Sequence, residues 1–161
     1  MLMLMSVFEL PKKPPVTADL YERDFYSWAL EQAALVREGR FNEIDRDNVV
    51  EELESLGREQ FSKLASALRV LMMHMLKWDH QPGKRSRSWL STIVVQRGDF
   101  IDVLAENPGL KPRVAEAVER AYRRARSEAA AETGLKLSVF PAECPYTMQD
   151  LTSRPFDLDP A

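Results

Sequence analysis

One pattern constrains this chain more than any other. Between Asp47 and Asp79, the residues Val49, Leu53, Leu56, Phe61, Leu64, Leu68, Leu71, Met75 and Trp78 recur at helical steps, with one residue of drift around Gln60. Apolar residues repeating every three to four positions mark one face of an α-helix. No proline interrupts the run. Gly57 sits within it, costs about 1 kcal/mol relative to alanine, and is the place for a kink. An unbroken helix over this range spans about 50 Å at 1.5 Å per residue, whereas the other helices expected here are nearer about 30 Å. Part of it must therefore overhang the bundle, bend, or pack on another chain.

The flanking segments read as shorter helices. Asp19 caps a first helix to about Glu38, stopped by Gly39, with Phe25, Trp28, Ala29, Leu35 and Val36 on one face. Asp45 or Asp47 caps the long second helix, and Gln81-Pro82-Gly83 ends it. Ser86 or Ser88 caps a third helix, whose buried side is Trp89, Ile93, Val94, Phe100, Ile101 and Leu104. A fourth begins near Pro112 with the stripe Val114, Ala117, Val118, Ala121, Tyr122, Ala125 and Ala129, and Gly134 closes it. Its alanines predict close helix approach. No segment alternates convincingly as a strand, and there is no internal repeat.

These elements predict an all-α, up-and-down four-helix bundle with one long second helix and an irregular Pro-containing C-terminal tail. In that tail, Thr147 and Asp150 have the spacing of a small capping box. Residues 1–18, with Pro11, Pro14 and Pro15 beside Lys12 and Lys13, read as a flexible Pro-rich arm, and 19–161 as a single domain. The stretch from Leu64 to Trp78 is broken by Arg69, His74 and Lys77, so no membrane span is expected. The single cysteine, Cys144, excludes an internal disulfide; a reducing, cytoplasmic setting is the expectation.

Charge is unevenly distributed within a formal total of −3. Residues 61–126 hold 13 basic and 6 acidic side chains, whereas residues 1–60 hold 7 and 13. Arg120, Arg123, Arg124 and Arg126 belong to the basic middle. Such asymmetry marks nucleic acid or an acidic partner. It also serves pairing of the third and fourth helices with the acidic first and second.

Five runs occur in a fixed order: Asp24-Phe-Tyr-Ser-Trp-Ala-Leu-Glu-Gln, Glu51-Glu-Leu-Glu-Ser-Leu-Gly57, Leu71-Met-Met-His-Met-Leu-Lys-Trp78, Ser86-Arg-Ser-Trp89 and Phe140-Pro-Ala-Glu-Cys-Pro-Tyr-Thr147. Together they resemble the bacterial family known as domain of unknown function twenty-nine, from about residue 19 to residue 151. The resemblance implies an all-helical fold and a bacterial cytoplasmic origin. It implies no activity.

Few residues carry chemistry of their own. Arg69-x4-His74 resembles the motif of the all-helical ribonucleases of the HEPN superfamily, in which Arg and His act on a scissile phosphate without metal. Arg can steady an oxyanion and His can move a proton. Five residues along one helix set the two side chains about 140° apart, so they converge only across a dimer or a kink. The other reading of His74 is a partly buried histidine bonded to an acid on a facing helix.

Lys84-Arg85-Ser86-Arg87-Ser88 precedes a helix N-terminus, where free amides favour an anion; a charged loop with a serine cap is the alternative. Gly83-Lys84 lacks the rest of a phosphate-binding loop. Neither histidine has a glutamate three residues before it, so the carboxylates Asp24, Glu31, Glu51, Glu52, Glu54 and Glu59 predict no di-iron site. No metal or cofactor is expected. Trp28, Trp78 and Trp89 read as core anchors, and Cys144, without a basic neighbour, as a structural thiol.

The resulting expectation is a non-catalytic helical interaction module that binds protein, in the form of a homodimer built on the long helix. The alternative is a nucleic-acid binder or metal-independent ribonuclease using Arg69 and His74.

Overall fold

The computed structural model describes residues 16–158, so residues 1–15 of the proposed arm lie outside it. Among the described residues six α-helices follow one another: α1 (Val16–Arg23), α2 (Phe25–Arg37), α3 (Arg46–His80), α4 (Arg87–Glu106), α5 (Val114–Thr133) and α6 (Met148–Ser153). Short 3-10 turns lie in the connections after α2, α3, α4 and α5, and the described residues contain no strand. The all-helical class therefore stands, with six helices where the periodicity marked four. The chain divides into two compact units, the first ending at Leu56 and the second starting at Gly57, so the division falls within α3.

In the first unit, the single helix expected from Asp19 to Glu38 is two. Asp24 leaves helical geometry (φ −152°, ψ 78°) and its carboxylate accepts from the Ser27 amide at 3.0 Å and the Ser27 hydroxyl at 2.6 Å. These bonds satisfy donors at the start of α2, as an N-cap does. The α1 helix also begins earlier than expected, at Val16, with Asp19 inside its first turn. Gly39 closes α2 at φ +72°: its amide reaches Val36 O at 3.1 Å and the Arg40 amide reaches Leu35 O at 2.9 Å, a Schellman closure.

Tyr21, Phe25 and Trp28 stack edge-on or tilted, with ring centroids 4.8–5.8 Å apart. Buried Trp28 donates from Nε1 to buried Asp45 at 3.1 Å, and Asn48 Nδ2 donates to the same oxygen at 2.8 Å. Asp45 thus precedes α3 as expected. Its amide donates to Gln32 Oε1 at 2.8 Å, which fixes the orientation of that buried amide group.

The second unit is built on the C-terminal part of α3, with α4 and α5. Helix α3 runs unbroken through Gly57 for 35 residues, about 52 Å. Phe61, Leu64, Leu68, Leu71, Met75 and Trp78 of the expected stripe are buried, together with Met72 and Leu76. Leu53 and Leu56, which the stripe placed in the core, are 63% and 56% exposed. Hydrophobic periodicity reports that a helix can bury a face and leaves open whether anything covers it.

Helices α3 and α5 run parallel. Arg69 pairs with Glu128 and Lys77 with Glu132, and Gln81 donates to Thr133 O at 3.5 Å, so numbers rise together on both. Ala117, Ala121, Ala125 and Ala129 form the buried edge of α5, the small residues that close approach requires. Helix α4, capped by Ser86 accepting from the Trp89 amide, runs the other way: Lys77 at the end of α3 lies 4.6 Å over the Trp89 ring at the start of α4. Its core residues are Ile93 and Phe100, a seven-residue step. Val94 and Ile101, expected inside, are exposed because each sits one position, about 100°, off that line.

The tail returns over this core. Phe140, Leu151 and Phe156 are buried in it, and Thr147 with Asp150 forms a complete capping box at α6. Arg126 donates to Phe140 O and Leu137 O, Arg97 to Leu151 O and Asp150 O, and Tyr122 to Pro141 O. Asp79 accepts from Tyr146 Oη at 3.0 Å and from both terminal nitrogens of Arg154 at 2.6 and 3.0 Å.

Candidate functional site

Arg69 and His74 turn to different partners. Arg69, near the middle of α3, forms its ion pair with Glu128 of α5, and both side chains are about 30% exposed. His74 donates from Nδ1 to Val70 O, one turn earlier, at 2.9 Å. Burial lowers its pKa and Lys77 adds to the effect, outweighing the bond to Val70 O and the charge of Glu132, which oppose it. The histidine therefore bonds a carbonyl of its own helix, where an acid on a facing helix was one expectation.

The loop before α4 is also internally engaged. Ser86 caps the helix, and Arg85 donates from Nε to Trp78 O at 3.0 Å with its guanidinium 5.1 Å from the Trp78 ring centre. Lys84, Arg87 and Ser88 are exposed, and the Ser88 carbonyl accepts from Thr92 Oγ1. Of the carboxylates weighed as metal ligands, Asp24 caps α2, Glu52 accepts from Tyr21 Oη at 2.6 Å and Glu59 pairs with Lys63. Among the described residues no three His, Cys, Asp or Glu side chains gather as a metal site would require. No helix among them is long and apolar enough to cross a membrane.

Two concavities in the second unit were not visible as sites in the sequence. The larger, about 670 Å³, lies between α5 and the tail, with Val114, Val118, Tyr122, Met148 and Leu151 as its apolar wall. Cys144 lines it too. Its thiol is half-buried, lies 3.6 Å from Met72 Sδ, and has its pKa pushed up by burial, which keeps it protonated and a poor nucleophile.

The smaller, about 270 Å³, lies between α3 and α5 and is lined by Ser62, Ala65, Ser66 and Arg69 from one helix and Arg120, Ala121 and Arg124 from the other. Helical spacing makes this wall: 62, 66 and 69 share a face of α3, and 120 and 124 are one turn apart on α5. Only the parallel docking of the two helices joins them, and a sequence does not carry that register. Among the described residues, Arg120, Arg123 and Arg124 have no ion-pair partner; Arg120 lies 5.9 Å from the Phe61 ring centre.

No curated protein and no solved structure is significantly similar to this chain. Residues 20–157 match the family described as Domain of unknown function DUF29, nearly the whole of the described fold. The chain is therefore a member of the DUF29 family.

Proposed function

We propose that this chain is a non-catalytic protein-interaction module that self-associates through its first unit. The observation that carries the reading is the placement of exposed apolar side chains. Of fourteen large hydrophobic residues exposed in the described chain, eight lie between Phe25 and Leu56: Phe25, Tyr26, Leu30, Val36, Phe41, Val50, Leu53 and Leu56. Val50, Leu53 and Leu56 follow one another at three-residue steps along α3. Concentrated apolar exposure marks an association surface, whereas scattered single residues need no explanation. One patch meeting itself across a two-fold axis makes the commonest oligomer.

The segment is acidic, so two copies repel across their rims and added salt strengthens the association by screening. Sedimentation velocity from low to high micromolar concentration tests this. A dimer that tightens with salt and disappears in Leu53→Lys or Leu56→Lys is expected. A monomer throughout, or a dimer indifferent to both substitutions, overturns the reading.

The nucleic-acid reading draws support from the arginines of α5. As a ribonuclease it is weakened by the engagement of Arg69 with Glu128 and of His74 with Val70 O. It predicts RNA binding that falls steeply with salt, the opposite sign to self-association.

A further inference from the structure

The cavity between α3 and α5 is unusual in its charge. Three guanidinium groups, Arg69, Arg120 and Arg124, line it and no carboxylate does. Glu128 pairs with Arg69, whereas Arg120 and Arg124 of α5 form no ion pair among the described residues, with Glu116 attracted to Arg120 only through space. Two serine hydroxyls, Ser62 and Ser66, stand on the opposite wall and can donate to an oxyanion. Like charges gathered in a concavity repel one another, and the arrangement is relieved by an anion that accepts from several at once. Guanidinium forks match the oxygens of a phosphoryl group better than any other charged side chain does.

We propose that this cavity binds a phosphate monoester. The dianion matches the two guanidinium groups, of Arg120 and Arg124, that form no ion pair among the described residues, and a cavity of about 270 Å³ has room for a small organic group beyond the phosphoryl. A second concavity beside it, about 430 Å³ and lined by Arg120, Arg123, Arg124, Ser127 and Glu128, shares two of its arginines and gives that group an exit. A polynucleotide backbone is the poorer fit. Its phosphodiesters carry one charge each, and neither cavity is lined by an aromatic ring on which a base could stack.

The test uses the full chain and three probes: glycerol 2-phosphate, dimethyl phosphate and a short single-stranded RNA, each titrated calorimetrically. Glycerol 2-phosphate should saturate one site, with dimethyl phosphate at least tenfold weaker. Arg120→Gln and Arg124→Gln should each weaken binding about tenfold, the loss of one charge-assisted contact. Both arginines are exposed, so unchanged melting curves should accompany the loss. No saturable binding at millimolar glycerol 2-phosphate overturns the proposal, as does equal binding by the variants. RNA binding that depends on the same arginines and exceeds the monoester replaces the site's assigned ligand with a nucleic-acid backbone.

Discussion

Removing the carboxylate of Asp79 should detach the tail from the helices of the second unit. This one side chain accepts three bonds, from Tyr146 Oη and from both terminal nitrogens of Arg154. The Arg154 and Asp79 side chains are 32% and 26% exposed, so the pair lies between two measured regimes. Breaking a fully buried pair costs about 3–5 kcal/mol, and an exposed one about 0–1 kcal/mol. Interpolation gives about 2 kcal/mol for the ion pair. The Tyr146 hydroxyl, left half-buried without an acceptor, adds about 1 kcal/mol.

Asp79→Ala should therefore lose about 2–3 kcal/mol in equilibrium urea unfolding, and roughly 5–10 °C in Tm at about 2–4 °C per kcal/mol for a chain of this size. Tryptophan fluorescence is a suitable signal, because buried Trp78 packs edge-on against Phe156 of the tail at 5.6 Å. A double-mutant cycle with Arg154→Ala should return a coupling of about 1–2 kcal/mol. A loss below about 0.5 kcal/mol, or strict additivity with Arg154→Ala, would refute the clamp as a source of stability.

Three further outcomes follow from other elements. Trp28→Phe keeps the ring stack but removes the bond to buried Asp45, and should destabilise the first unit by about 1–2 kcal/mol, read by hydrogen exchange at α2. Gly57→Ala should stabilise by about 0.5–1 kcal/mol, since an added Cβ meets open space in a helix, while Gly134→Ala at φ +71° should cost roughly 1–2 kcal/mol; thermal melts of the two should move in opposite directions. His74, whose pKa burial holds below its ordinary value of 6.5, is protonated more readily when unfolded, so its contribution is intact above pH 6.5 and declines as pH falls below it. NMR titration should place its midpoint below 6.5, and a midpoint above that value sinks the argument.

Local signals were the legible part of this fold. Gly39 and Gly134 at helix ends, Ser86 at the start of α4 and the Thr147 capping box act through their own neighbours, and each stands where its residue type puts it. The break at Asp24 was hidden because apolar spacing continues across it; the signal was the Asp-x-x-Ser that closes the cap. Leu53 and Leu56 continue the stripe of Leu64 and Leu68 without a covering partner, a distinction that lies in the rest of the fold. The arginine-lined cavity was illegible for a related reason. Arg69 and Arg124 are far apart in sequence and meet through the register of two parallel helices.

The tail from Leu135 to Leu158 has little regular structure, yet its main chain is held by guanidinium and phenol donors reaching from α4 and α5, and Asp79 of α3 accepts from its side chains. A protease needs several consecutive residues drawn out as a strand in its cleft. Around Phe156, the side chain that chymotrypsin would seat is buried, Leu151 before it is buried too, and Arg154 between them is tied to Asp79. Cleavage there requires those anchors to release first. This segment should thus survive limited proteolysis as well as the helices do, irregular in shape but not in behaviour.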